Sequence, residues 1–288
     1  MDARIVDLRY DGRPGTVGAW LCDDVLIDCG PGSGLPQLLD GLGDRPPRAL
    51  MLTHVHLDHA GAAGALVERW PQLPVYVHPI GIPHLADPSR LVASTRRVFG
   101  GRLEELLGEV LPVPQENLHA IDDGQQIGAL RCAWTPGHAS HHVAFLEPES
   151  GLAFCGDLAG VCLEGDVVVP PTPPPEVDLD AWRSSLGRLE RWRPRALALA
   201  HYGLVDAPAE HIAAMGEALS RHERWAAAGE EAFLASLESY LRERLPGPVV
   251  EDYMFVALAG PSAAGLRRWL ERSAAARSEP SPAGADTR

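Results

Sequence analysis

The stretch LTHVHLDHAGAAG, residues 52–64, places His54, His56, Asp58 and His59 within six consecutive positions and constrains the chain more than any other feature. At the chain's own His and Asp frequencies, an H-x-H-x-D-H string arises by accident in on the order of one in a thousand sequences of this length, so chemistry is the better explanation. The flanks say where it sits. RALMLT before it is a short apolar run ending in a polar residue, as in a buried strand, and HAGAAGALVERW after it is Ala-rich with helical spacing. The motif therefore occupies a strand-to-helix loop, and open α/β sheets gather ligands at the carboxyl ends of their strands. His54 and His56, alternate residues, can turn toward one centre, while Asp58 and His59 at the helix start face a second. Imidazole and carboxylate donors suit Zn²⁺, Fe²⁺ or Mn²⁺, and without a thiolate in the motif the choice among them stays open.

Three further positions complete the constellation, each at a strand end or the turn after one: His138 in TPGHASHH, Asp157 in FCGD and His201 in ALALAHYG. Together they make seven ligands for two metals. Strand-like runs recur through the first 200 residues or so: GAWLC, DVLIDCG, RALMLT, LPVYVHP, QIGALRCAWT, HVAFLEP, GLAFCGD, DVVVP and ALALAH. Helical stretches interrupt them near 59–70, 90–109 and 179–193, which predicts a mixed α/β domain over 1–203. The proline-rich VVVPPTPPPEVDLD reads as a stiff loop crossing the surface beside the site. After His201 the texture turns rich in Ala, Glu, Leu and Arg, predicting a helical region over 204–275 and a disordered tail over 276–288.

Composition excludes several partners. A net charge of −14, with all 25 basic residues arginine, argues against a nucleic-acid surface and makes polyanionic substrates less favoured. An apolar run of about 18 residues and a basic-then-apolar N-terminus are both missing, so the expectation is a cytoplasmic protein with no membrane partner. The partner expected is a small-molecule substrate, with a homodimer as a possible assembly. Five cysteines without C-x-x-C spacing fit reduced, mostly buried thiols.

With these motifs in this order, residues 1–203 resemble the metallo-β-lactamase superfamily, and within it the glyoxalase II-like hydrolases. The resemblance implies an α/β fold, a four-layer αββα sandwich with a C-terminal helical appendage. Carried over residue by residue, it implies that His54, His56 and His138 hold a first metal, that Asp58, His59 and His201 hold a second, and that Asp157 bridges them. Asp28 in LIDCG matches an aspartate that would orient a ligand histidine through its other ring nitrogen. Two divalent ions, zinc first with iron or manganese as alternatives, would supply a bridging hydroxide without a Ser or Cys nucleophile. Asp58 and Asp157 are then the catalytic carboxylates, Asp58 steering that hydroxide or passing its proton on.

Other residues are weaker candidates. His141 and His142 lie close after His138, so either could face the pocket, His142 as a substrate contact or as support of a ligand; Tyr202 reads either as a donor to a developing oxyanion or as a packed ring. His78, His84, His119, His211 and His222 read as surface or packing residues. Arg90, Arg96 and Arg97 are the middle segment's candidates for holding an anionic substrate, and Arg267 and Arg268 are those of the C-terminal helices. The resulting function is hydrolysis of a small-molecule thioester or an ester such as a lactone. The alternatives are a mononuclear iron oxygenase resembling persulfide dioxygenase, or a metal-bound interaction protein without activity.

Overall fold

The computed structural model describes residues 2–43 and 45–278. The apolar runs of the first half form β1 (Ala3–Asp7), β2 (Gly18–Cys22), β3 (Val25–Ile27), β4 (Ala49–Met51), β5 (Val75–Val77) and β6 (Leu118–Ala120), paired in that order. β1 to β3 are antiparallel neighbours and β3 to β6 parallel ones. Between them run α1 (Leu35–Leu42), α2 (Leu57–Ala60), α3 (Ala63–Arg69), α4 (Ile82–Ala86), α5 (Ser89–Phe99) and α6 (Leu103–Leu107). The second sheet contains β7 (Gln126–Ile127), β8 (Leu130–Trp134), β9 (Val143–Glu147), β10 (Leu152–Gly156), β11 (Ala196–Leu199) and β12 (Gly203–Val205), in the order β12-β11-β10-β9-β8-β7. Its one parallel pair, β10 with β11, is joined by the crossover helix α7 (Leu179–Arg191).

Side chains alternate across a strand, and this period sorts the apolar residues into layers. Leu26 and Leu50 face outward onto Leu38, Leu42 and Leu66, whereas Ile27 and Met51 face inward onto Phe145 and Phe154 of the other sheet. On the second sheet Ala153, Cys155, Leu197 and Leu199 face outward onto Trp182, Met215 and Phe233. Helices therefore cover both outer faces of two packed sheets, giving the αββα sandwich expected from the family resemblance. Burying a side chain such as Phe145 contributes about 1.5–3 kcal/mol.

The chain ends in α8 (Pro208–Ala227), α9 (Glu230–Arg242), α10 (Gly247–Val256) and α11 (Ala259–Ser278), which share the outer core of the second sheet. Ile212, Met215 and Leu219 form the inward stripe of α8 at helical spacing. From α10, the Tyr253 hydroxyl donates to Val167 O at 2.7 Å and accepts from Leu163 N–H at 2.8 Å. On α11, Ser262 Oγ accepts from Thr172 N–H at 2.9 Å, and a side chain at Gly265 would collide with the Thr172 carbonyl. These contacts fix the proline-rich loop around Pro171–Pro175. Among the described residues no helix is long and apolar enough to cross a membrane, and all five cysteines are buried.

Several expected elements divide. QIGALRCAWT becomes the hairpin β7–β8 because Gly128, at φ +58°, turns the chain. DVVVP makes a single bridge, Val169 with Val161, since the prolines that follow lack the N–H a ladder requires. The 90–109 helix breaks into α5 and α6 at Gly100, φ +57°. The edge strands β1, β6 and β12 have no evident strand pattern in the sequence. Helix α11 continues to Ser278, and the remaining 279–288 of the expected tail lie outside the described residues.

His222 on α8 is 1% exposed; its Nδ1–H donates to Ala218 O at 2.9 Å and its Nε2 has no partner. Burial, reinforced by Arg221, holds its pKa down to about 3. The unfolded chain takes up this proton near pH 6.5 or so and the folded chain only near 3, so acid favours unfolding below about pH 6.5. Denaturant midpoints measured from about pH 7 down to about pH 4 should fall, and less steeply in His222→Leu. Equal slopes in the two proteins would exclude His222 as a source of acid lability.

Candidate metal centre

The centre lies at the carboxyl ends of β4, β10 and β11, with one further loop. Beyond β4 the chain carries Thr53 and His54, then His56 in extended conformation as the residue that opens α2. The first turn of α2 supplies Asp58 and His59. His138 comes from the β8–β9 loop, Asp157 follows the last residue of β10, and His201 follows β11. Gly156 makes the approach possible: it sits at φ +47°, and a Cβ there would lie 2.6 Å from Thr53 Oγ1 and 2.7 Å from His142 Nε2.

Hydrogen bonds behind the histidines fix which ring nitrogen faces inward. Nδ1–H of His138 donates to Pro171 O and that of His201 to Thr16 O, each at 2.9 Å. His59 Nδ1–H donates to Asp28 Oδ2 at 2.9 Å. The Thr53 hydroxyl gives its hydrogen to Asp28 Oδ2 at 2.8 Å, so its oxygen accepts from His54 Nδ1–H at 3.0 Å. In its neutral form each of the four rings therefore turns the Nε2 lone pair toward the interior. Asp28, at φ +56°, makes with the Nδ1–H of His59 the contact that the resemblance implies.

These lone pairs converge. His59 Nε2 and His201 Nε2 are 3.1 Å apart, and His138 Nε2 is 2.8 Å from His56 Nδ1. Two lone pairs at such distances repel unless a proton or cation lies among them. His54 Nε2 and Asp157 Oδ1 are fully buried with no hydrogen-bond partner. Asp157 spans the cluster, with Oδ2 at 3.2 Å from His138 Nε2 and Oδ1 at 3.1 Å and 3.3 Å from the Nε2 atoms of His59 and His201. Asp58 Oδ2 lies 3.7 Å from the same two nitrogens. Donor atoms of His54, His56, His138 and Asp157 lie within 4.8 Å of one another, as do those of Asp58, His59 and His201. A tetrahedral ion with donors at about 2.0–2.1 Å spaces them by about 3.3 Å, so the donor set fits divalent cations.

The electrostatics agree. Burial, then the neighbouring histidines, hold His54 and His56 well below the usual imidazole range, leaving them neutral donors. Burial opposes ionisation of Asp157, but His59, His138 and His201 outweigh it and hold the carboxyl well below its ordinary value. Burial likewise opposes a charge on His59 and His201, yet Asp157 outweighs it and raises both above the ordinary imidazole value. The carboxylates thus draw positive charge to the place where the lone pairs meet.

All seven expected ligands are brought together; the weaker candidates divide. His142 supports rather than faces the centre: its Nε2 accepts from Asp157 N–H at 3.2 Å and its Nδ1 bonds Thr135 Oγ1 at 2.9 Å. Tyr202 turns away, its ring lying over Gly15 and Gly18, so a direct oxyanion contact is not its role. Arg96 pairs with Glu104 at 2.6 Å, Arg97 donates to Ser94 Oγ at 3.2 Å, and Arg267 pairs with Glu230 at 3.7 Å. His78 stacks on Trp134, and His211 donates to Ala159 O at 2.8 Å.

A cleft of about 100 Å³ opens onto the centre, with His56, Asp58, His138 and Asp157 among its lining residues. Its walls are α5, the proline-rich loop, Val256 and Leu258, and Tyr10 from the N-terminal segment. Tyr10 carries no signal in the sequence because it lies in a single 3-10 turn without a motif, and only the tertiary fold brings it beside Asp58.

Comparisons with known proteins agree with this geometry. A metallo-beta-lactamase fold-containing protein of Sulfurisphaera tokodaii is 31% identical over 193 residues, 63% of this chain and 69% of that one. A hydroxyacylglutathione hydrolase of Legionella pneumophila is 29% identical over 138 residues, 46% of this chain and 42% of that one. The chain thus spans less than half the length of that hydrolase. Among solved structures, an archaeal metallo-beta-lactamase superfamily protein from Sulfolobus tokodaii superposes with a TM-score of 0.66 at 23% identity, covering 90% of this chain and 97% of that one. The model of the metallo-beta-lactamase superfamily matches residues 23–201, which contain all seven converging side chains, and the chain belongs to that superfamily.

Proposed function

We propose that the protein is a hydrolase that uses two divalent metal ions to cleave a small-molecule thioester or an ester such as a lactone. His54, His56 and His138 would hold one ion, Asp58, His59 and His201 the other, with Asp157 shared. The observation that carries this reading is the position of Asp157, whose two carboxylate oxygens face different groups of imidazole lone pairs. Bound there, such ions supply hydroxide at neutral pH and polarise the attacked carbonyl.

The chain's own residues do the rest. Asp28, Thr53, Pro171 O and Thr16 O orient the rings, and His142 fixes the backbone of Asp157. Asp58 combines a place in the second donor cluster with 25% side-chain exposure in the cleft lining, so it is the carboxylate placed to hold or pass on a proton beside substrate. Burial pushes the thiols of Cys29 and Cys155 up, which suits packing and not nucleophilic attack. Zinc suits the donor set, and iron or manganese would serve; a solved protein in a di-iron-bound form is 28% identical with a TM-score of 0.50. Resemblance to hydroxyacylglutathione hydrolases supports thioesters as the first class to test.

A panel of thioesters, lactones and simple esters, assayed before and after chelation, tests the reading. Hydrolysis should disappear with the metal and return with added zinc, iron or manganese. Activity insensitive to chelation, or oxygen uptake with a persulfide at one iron per chain, would overturn it.

A further inference from the structure

Helix α5 turns Leu91, Ser94, Thr95 and Val98 toward the cleft, residues three and four apart on one face. Its arginines at 90, 96 and 97 fall outside the lining, Arg96 paired with Glu104 and Arg97 bonded to Ser94. Opposite α5 stand Pro173, Pro174 and Pro175, and Val256 and Leu258 complete the wall. Among the described residues that line the cleft, the charged or ionisable ones besides Tyr10 are His56, Asp58, His138 and Asp157, all on the metal side. An anionic group lodged against the far wall would lose its hydration and gain no cation. A methylene placed there gains about four-fold in binding from leaving water.

Tyr10 supplies the cleft's unused polar handle. Its ring packs on Phe255 at 5.3 Å between centroids, while its hydroxyl is buried with no hydrogen-bond partner. Burial, then Asp58 and Asp11, push its pKa up, so the group stays a neutral O–H donor. By contrast, Thr95 Oγ1 donates back to Leu91 O at 2.9 Å, and Ser94 Oγ accepts from Arg97. A buried donor left without an acceptor is unfavourable, and a ligand carbonyl or ether oxygen that displaces the atoms covering the Tyr10 hydroxyl would relieve it.

We propose that the substrate is uncharged away from its scissile bond, carries an apolar chain that lies between α5 and the proline-rich loop, and accepts a hydrogen bond from the Tyr10 hydroxyl. The proposal rests on the hydrolase reading for the place of the scissile bond. It replaces the anionic substrate that Arg90, Arg96 and Arg97 suggested.

Two readings of the zinc-loaded protein test it. The first is binding, by ligand-observed NMR titration, of hexanamide and of the same amide with a carboxylate in place of its terminal methyl. The second is turnover of the S-ethyl thioesters with the same two chains. The neutral amide should bind at least about ten-fold more tightly, and the neutral thioester should be favoured in kcat/KM by a similar factor. Tyr10→Phe should lower affinity and kcat/KM by about two- to ten-fold without lowering Tm, since it removes only a buried hydroxyl that lacks a protein partner. Equal or tighter binding of the carboxylated amide, or no binding of either, overturns the proposal. Unchanged binding in Tyr10→Phe overturns the role of its hydroxyl. Preferential binding of the neutral amide without hydrolysis of either thioester leaves the chain site standing and removes the hydrolase reading instead.

Discussion

Asp157→Ala is expected to lose more than about 100-fold in kcat/KM and most of the bound metal, because a single truncation opens both donor clusters. Its Oδ2 faces His138 while Oδ1 faces His59 and His201, so no other side chain in the centre is shared in this way. Loss of a residue that merely supports a ligand commonly costs 10- to 100-fold or so in metal affinity, and a shared ligand should exceed that. Asp157→Asn separates charge from shape: it preserves the packing beneath His142 but removes the negative charge that draws cations to the lone pairs. Both variants should therefore be metal-poor. Wild-type metal content together with wild-type turnover in Asp157→Ala would contradict the assignment.

Asp28→Ala should destabilise the fold by about 3 kcal/mol and weaken metal binding at His59 by 10- to 100-fold or so. Asp28 is 2% exposed and accepts three hydrogen bonds, from Thr53 N–H at 2.7 Å, Thr53 Oγ1 at 2.8 Å and His59 Nδ1–H at 2.9 Å. Truncation leaves these donors unsatisfied in a dry interior. Asp28→Asn probes the tautomer alone, since its amide can still accept from Thr53 N–H while presenting N–H groups to the hydroxyl and the ring. His59 is then pressed to carry its proton on Nε2, the nitrogen that faces the centre. Thermal denaturation should show a smaller loss for Asn than for Ala, with metal affinity reduced in both. Undiminished affinity in Asp28→Asn would show that the orientation of His59 does not depend on this carboxylate.

The seven converging residues were legible because local sequence determines them: each follows a strand-like apolar run, and strand ends of an α/β sheet share one edge. Local period-two and helical spacing gave only a mixed α/β domain; the two outer helical layers were implied by the family resemblance. What escaped depends on tertiary approach. Tyr10 comes to Asp58 through a segment without pattern, and β1 and β12 are partly exposed strands at sheet edges. His142 showed only as a neighbour of His138 until the fold placed its Nε2 under Asp157 N–H. Helical spacing shows which residues of α5 share a face but not which face meets the cleft, so it left Arg90, Arg96 and Arg97 open between a solvated helix and an anion contact. Tyr202 stayed open between a packed ring and an oxyanion donor because adjacency to His201 in sequence does not place two side chains on the same side of the backbone.

Elemental analysis of the purified protein, repeated on His54→Ala and His201→Ala, asks directly whether Asp157 joins two metal sites. About two ions per wild-type chain and about one in each variant are predicted, because His54 and His201 belong to different clusters. A wild-type chain holding one ion or none, or a His201→Ala variant that keeps the full wild-type complement, would contradict it.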